Sequence, residues 1–334
     1  ARMAGCTLGA PVEGWRIEDM ERWAAWLGDL FPPTDYWSGV TGIPNTPRYI
    51  RSTLADFTRD RMRGVPVDDD TAYTLLGLLI AEEYGPGFTT ADVGAAWLRY
   101  LPVACTAEGA ALAALRDGVP AAEAADRDNP YVQWIGADIR SDPWGWIAPA
   151  WPEKAAELAY RDAVLSHRRN GVYGAMFFAA AQSAAFAVAD PAEALAIGLT
   201  EIPAECALAG AIRWALSVDR PSGYREARAA VDERFPGMHA VHTINNACLT
   251  VFGLRIGGTD LTKVLSETVA MGLDNDCTAA TAGSIAGAVA GTAGVPGHWS
   301  RPFEGRILSY LDGIESFDIR ETVGRFARQA ARFR

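Results

Sequence analysis

Three adjacent aspartates, Asp68, Asp69 and Asp70, stand directly ahead of the apolar run TAYTLLGLLIAEEYG. Far along the chain, Asp274 and Asp276 stand just ahead of TAATAGSIAGAVAG. Each group sits where a helix should start. One aspartate at an N-cap and another in the first turn are ordinary, because their oxygens meet unpaired backbone N–H groups and the positive end of the helix dipole. That reading leaves the third acid of the first run as added repulsion. The other reading points both helix starts at one cavity, where five carboxylates gather; such crowding is tolerated only around cations. Oxygen-only ligation suits Mg²⁺, Mn²⁺ or Ca²⁺, and not zinc, since no suitably spaced His/Cys set accompanies the acids.

Further residues could serve the same chemistry. Glu13 lies in LGAPVEG, where a proline and flanking glycines bend the backbone and put an acid at a cavity edge; a solvated surface glutamate is the alternative. His167 in LSHRRN either ends a helix or serves the site. His239 and His242, three apart in GMHAVHTINNAC, would share a helix face and, lacking a third ligand, read as structural.

Positioning these groups requires helices. Ala-rich segments with helical spacing predict helices over 18–28, 69–84, 90–99, 107–116, 153–168, 172–188, 192–199, 205–217, 222–233, 240–254, 260–270, 277–291 and 315–333. Alternating β-branched runs are almost absent. Thr90, Pro152 and Asp190-Pro191 read as starts, and EEYGPGF and RRNG as stops. Ala279, Gly283, Gly287 and Gly291, at four-residue spacing, give the last acidic helix a smooth face for close packing. Two stretches, 31–66 and 128–152, are irregular and aromatic; such segments are often functional. Trp134, Trp144, Trp146 and Trp151 of the second either stack on a ligand or close the core edge. No linker or repeat divides the chain, which predicts one all-α domain over 1–334.

With 334 residues, 49% of them hydrophobic, there is ample material for a core. A net charge of -11 without a basic cluster argues against a nucleic-acid polymer as partner. Five scattered cysteines without a C-x-x-C read as reduced thiols, and the first residues lack a signal-peptide pattern, so a cytoplasmic location is expected. The run YGAMFFAAAQSAAFAVA, interrupted by Gln182 and Ser183, falls short of the roughly 20 residues of a membrane span and reads as a core helix. No membrane partner is expected.

GCTLGAPVEG, VDDDT, LSHRRNGVYG and GLDNDCTAATAGSIAGAVAG, in that order, resemble the ADP-ribosylglycohydrolase family, which includes the dinitrogenase-reductase-activating glycohydrolases. The resemblance spans almost the whole chain. It implies an all-α orthogonal helical fold, a pair of Mg²⁺ (or Mn²⁺) ions, and hydrolysis of the bond between the anomeric ribose carbon of ADP-ribose and an acceptor nitrogen or oxygen. Residue by residue, it implies metal ligation by Asp69, Asp70, Asp274 and Asp276. Asp68 stands where a metal-binding threonine is usual, and Cys277 where another follows the D-x-D pair. Glu13 matches an acid over the ribose, giving Glu13, Asp69 and Asp276 catalytic roles. His167 matches a histidine near the nucleotide, with Asn170 and Tyr173 just after it. The loop carrying Gly136, Asp138 and Arg140 falls where the family has a glycine-rich loop against the ligand. Cys6 departs from an aspartate, and a thiol at 277 is a poor Mg²⁺ ligand, which weakens the second metal site.

Three functions fit these residues. One is a metal-dependent glycohydrolase acting on an ADP-ribosylated protein or small molecule. The second is an N-glycosidase of nucleosides or nucleotide-like molecules in bacterial metabolism. The third is a catalytically silent scaffold, against which Glu13, Asp69, Asp70, Asp274 and Asp276 argue.

Overall fold

Helix dominates this computed structural model, which describes residues 1–49 and 51–333. In chain order the helices are α1 (Arg2–Gly9), α2 (Ile17–Leu27), α3 (Asp69–Tyr84), α4 (Thr90–Tyr100), α5 (Thr106–Arg116), α6 (Asp142–Ile147), α7 (Pro152–Ala163) and α8 (Asn170–Ala185). They continue with α9 (Pro191–Gly198), α10 (Ala207–Ser217), α11 (Tyr224–Arg234), α12 (Thr243–Gly257), α13 (Leu261–Ala270), α14 (Asn275–Ala290), α15 (Gly297–Ser300) and α16 (Ile319–Arg332). Two small antiparallel hairpins accompany them: β1 (Pro47–Arg48) with β2 (Ser52–Thr53), and β3 (Arg306–Leu308) with β4 (Ser316–Asp318). The fold is all-α.

The position of each helix follows from its composition. α3, α8, α12 and α14 are apolar or small on nearly every side, so they are buried along most of their length and form the middle of the molecule. α16 alternates charge with apolar residues and buries only Thr322, Phe326 and Gln329, so it lies on the outside. Among the described residues, no helix is long and apolar enough to cross a membrane.

α14 has the smooth face that its small residues predict, and the helix that uses it is α1, which the sequence reading leaves out. A side chain at Gly5 would stand 2.1 Å from the Ala279 carbonyl oxygen, and one at Gly9 would stand 2.5 Å from the Asp276 backbone. Glycine is required at both positions. Other boundaries move as well. Helix α7 stops at Ala163, and α8 starts at Asn170 behind Arg169, whose φ is +51°. Gly171 therefore sits inside a helix start and does not end one. The aromatic stretch 128–152 contains α6, whose first residue Asp142 is buried against Arg2. His242 is the N-cap of α12, its Nδ1 accepting from the Ile244 amide at 3.2 Å. His239 lies outside that helix, so the two histidines do not share a face.

Candidate active site

Both acidic groups begin helices, as their spacing predicts, and the two starts meet. Asp68 is the N-cap of α3, with Oδ1 accepting from the Asp70 amide at 3.2 Å. Asp274 precedes α14 behind two left-handed residues, Gly272 (φ +72°) and Leu273 (φ +61°). A leucine in that conformation costs about 1–2 kcal/mol. It is held there because the Gly14 amide donates to the Leu273 carbonyl at 2.9 Å. The same bond sets Glu13 beside Asp274. Ligand-capable atoms fall within 4.8 Å of one another in three groups: Cys6–Asp68–Asp70, Asp70–Asp276–Cys277 and Glu13–Asp274–Asp276. Asp69 belongs to none of them.

The environment is dry and crowded. Asp68, Asp70, Asp274 and Asp276 are all 5% exposed or less, while Glu13 is exposed at the rim. Burial and then the neighbouring acid Glu13 push Asp274 up to about 6. Burial, then Glu13 and Asp274, raise Asp276 well above the usual carboxylate range. For Asp69 and Asp70 burial is again the first cause of an upward shift. Carboxylates in this condition call for a cation. Asp274 Oδ1 and Asp276 Oδ1 are buried without any hydrogen-bond partner from the protein, so both are open to a cation. Hard oxygens of this kind fit Mg²⁺, Mn²⁺ or Ca²⁺.

Part of the counter-charge is already present, on two arginines that the sequence reading passes over. Arg48, from the first hairpin, reaches Asp68 Oδ2 with Nη2 at 2.8 Å and Nε at 3.1 Å. It also reaches Glu13 Oε2 at 2.8 Å and Asp276 Oδ2 at 3.1 Å. Burial opposes its charge, but the carboxylates of Asp68, Asp276 and Glu13 outweigh that and raise its pKa. Arg2, on α1, holds Asp70 Oδ1 at 3.3 Å and Asp142 Oδ2 at 2.6 Å. Neither arginine sits in a charge pattern that would have betrayed it.

Cys277 lies in one of these groups and is hydrogen-bonded within it. Its Sγ donates to Asp70 Oδ2 at 3.2 Å, and burial followed by Asp274 and Asp70 pushes the thiol well up. Only the thiolate ligates a metal.

The residues expected to touch ligand divide in two. Arg140 is buried against Glu108 (2.5 Å) and Asp162 (2.8 Å), with its guanidinium over Trp97 and Tyr73. Asp138 is fully buried, its Oδ2 accepting from Thr243 Oγ1 at 2.6 Å. His167 is fully buried beside Ser166. These three are closed off from solvent. Arg140 is paired internally, while Asp138 Oδ1 and His167 Nε2 are buried without a hydrogen-bond partner. Asn170 Oδ1 accepts from the Leu208 amide at 3.1 Å and its Nδ2 donates to Gln133, also a structural use. Gly136, against the Glu108 carboxylate, and Tyr173 are half-buried. Of the four tryptophans, Trp144 is buried on Phe88 and Trp146 packs edge-on to Phe326. Trp134 stacks on His239 at 4.4 Å, and Trp151 is exposed.

The buried His167 has a pH signature. Burial, then the charges of Arg140 and Arg168, hold its imidazole well below 6.5, so the folded chain carries it neutral. The unfolded chain protonates it below about 6.5. Its contribution to stability is therefore intact above that pH and is lost as pH falls, by about 1.4 kcal/mol per unit. Urea unfolding between pH 7 and pH 5 should show a shallower acid-side loss in His167→Gln than in the wild type. Identical slopes would mean that the imidazole charges freely in the fold.

The family model of ADP-ribosylglycohydrolase matches residues 1–331. A solved chain described as "ADP-ribosylglycohydrolase-related protein complex" is similar in fold at 20% identity. That alignment covers 99% of this chain and 97% of that one at a TM-score of 0.59. No curated protein matches. With one family pattern running through α1, both acidic helix starts and the outer α16, the chain belongs to the ADP-ribosylglycohydrolase family.

Proposed function

We propose that this protein is a metal-dependent glycohydrolase that cleaves the bond between the anomeric ribose carbon of an ADP-ribose unit and an acceptor nitrogen or oxygen. The family is one of hydrolases and is metal-dependent in general. The observation that carries the reading is the pair of buried, unpartnered oxygens on Asp274 and Asp276 beside the exposed carboxylate of Glu13. Asp274 and Asp276 would hold the ion, which when bound supplies a polarised water and a grip on ribose hydroxyls. Glu13 stands at the solvent edge, where it can take a proton from that water or give one to the leaving group. Departure of the acceptor leaves positive charge at the anomeric carbon, and the surrounding carboxylates stabilise it electrostatically. Asp69, the first residue of α3, is half-buried next to Asp68 and Asp70 and adds to that negative field.

The test is release of ADP-ribose from ADP-ribosylated peptides and small conjugates, with plain nucleosides alongside, in Mg²⁺, Mn²⁺, Ca²⁺ or EDTA. EDTA should abolish turnover. It should also lower the melting temperature, because an ion present at about a hundred times its Kd stabilises by about 2.7 kcal/mol. Turnover that survives EDTA would overturn the metal requirement. Cleavage confined to nucleosides would move the substrate to that class.

A further inference from the structure

The oxygens of the acid cluster are partnered on one side and bare on the other. Asp68 Oδ2 takes two N–H groups from Arg48. Asp70 Oδ1 is held by Arg2 and its Oδ2 by the Cys277 thiol. Asp274 Oδ1 and Asp276 Oδ1 have no partner, although these residues are only 5% and 2% exposed.

Resting on the metal-dependent reading, we propose that Arg48 is a resident cation of the cluster, so that the chain holds one divalent ion. That ion is held by Asp274 and Asp276 beside Glu13, and none lies between Asp68 and Asp70. Two of the three ligand-capable groups include a buried thiol, and in them Asp68 Oδ2 is taken by Arg48, Asp70 Oδ1 by Arg2 and Asp70 Oδ2 by the Cys277 thiol. The third is oxygen-only and contains both bare oxygens. Arg48 is built into its place. Its planar fork meets Asp68, Asp276 and Glu13 together, a task suited to five fixed N–H donors and unsuited to a lysine ammonium. Nη1 also donates to the Ala10 carbonyl at 3.3 Å. The rings of Tyr49 and Phe57 lie 5.7 Å and 5.8 Å from the guanidinium carbon. A divalent ion at Asp68 Oδ2 would have to expel this group and leave a guanidinium partly buried with fewer partners, whereas an ion at Asp274 Oδ1 and Asp276 Oδ1 uses oxygens that Arg48 does not hold.

The experiment is a count of bound Mn²⁺ per full-length chain, by spin resonance of free Mn²⁺ during titration, without substrate. The wild type should bind one ion. Arg48→Ala should bind two, because Asp68 is then unpaired beside Asp70; the polar but uncharged Arg48→Gln should do the same and serves if the alanine variant does not fold. Two ions in the wild type would overturn this inference while leaving the metal-dependent reading intact. One ion in both the wild type and a folded Arg48 variant would overturn it as well. No bound ion in the wild type would overturn the metal-dependent reading and this inference with it.

Discussion

Glu13→Gln is expected to lower turnover by about 10²–10⁴-fold, the range for loss of a general acid or base. Glu13 follows a short 3₁₀ turn over Ala10–Val12 and is followed by Gly14 at φ +73°, so the chain reverses at the site and leaves this side chain exposed. Its carboxylate is tied on one oxygen, by Arg48 at 2.8 Å, which leaves the other for water or a leaving group. Glutamine keeps the volume and an oxygen for Arg48 but removes charge and basicity. Ion affinity should fall much less than turnover, because Asp274 and Asp276 remain. Single-turnover hydrolysis at saturating metal separates the two effects. Wild-type rates in the variant would leave Glu13 a bystander and place the proton transfers on another acid.

Arg140→Met should destabilise the fold by about 3–5 kcal/mol, a large part of the roughly 5–15 kcal/mol typical of a domain. The Arg140, Glu108 and Asp162 side chains are 2%, 4% and 4% exposed. Removing the guanidinium strands two acids in a dry interior. Burial already raises the pKa of both, with Arg140 as the main restraint. In the variant both acids would bind protons more readily in the folded chain than in the unfolded one. The loss should therefore be greatest near pH 8 and shrink as pH falls toward 5. Combining Arg140→Met with Glu108→Leu and Asp162→Leu removes the stranded acids and should recover most of the loss. Urea titrations at the two pH values decide; a loss under about 1 kcal/mol at pH 8 would show that water reaches the acids.

Much of this architecture is legible in residue order. The Ala-rich periodicity locates the long helices, and the N-cap preference of aspartate places Asp68 and Asp274 at helix starts that do meet. What escapes has a physical cause in each case. α1 is short, and its glycines disfavour helix locally; it is helical because Gly5 and Gly9 fit against α14, a partner remote in sequence. α6 hides among prolines and tryptophans and is pinned by Arg2 through Asp142. Arg48 is the plainest omission. Crowded aspartates demand positive charge, and a sequence shows the demand without showing that a side chain from the 31–66 stretch meets part of it. Arg140 shows the same limit from the other side, since its type and position do not reveal the buried pairing with Glu108 and Asp162.

The close fit of Gly9 against the Asp276 backbone bears on the order of folding events. One wall of the site is supplied near the start of the described chain and the other well past its middle, so the two carboxylate-bearing walls meet only after a very long loop closes. Contacts of that separation form late, after local helices are in place. During synthesis α1 therefore emerges long before its partner and waits with an apolar face uncovered, a period of exposure to aggregation or chaperone capture. The acid cluster is complete only once that long-range contact has formed, so during refolding the onset of metal binding would report on that docking step.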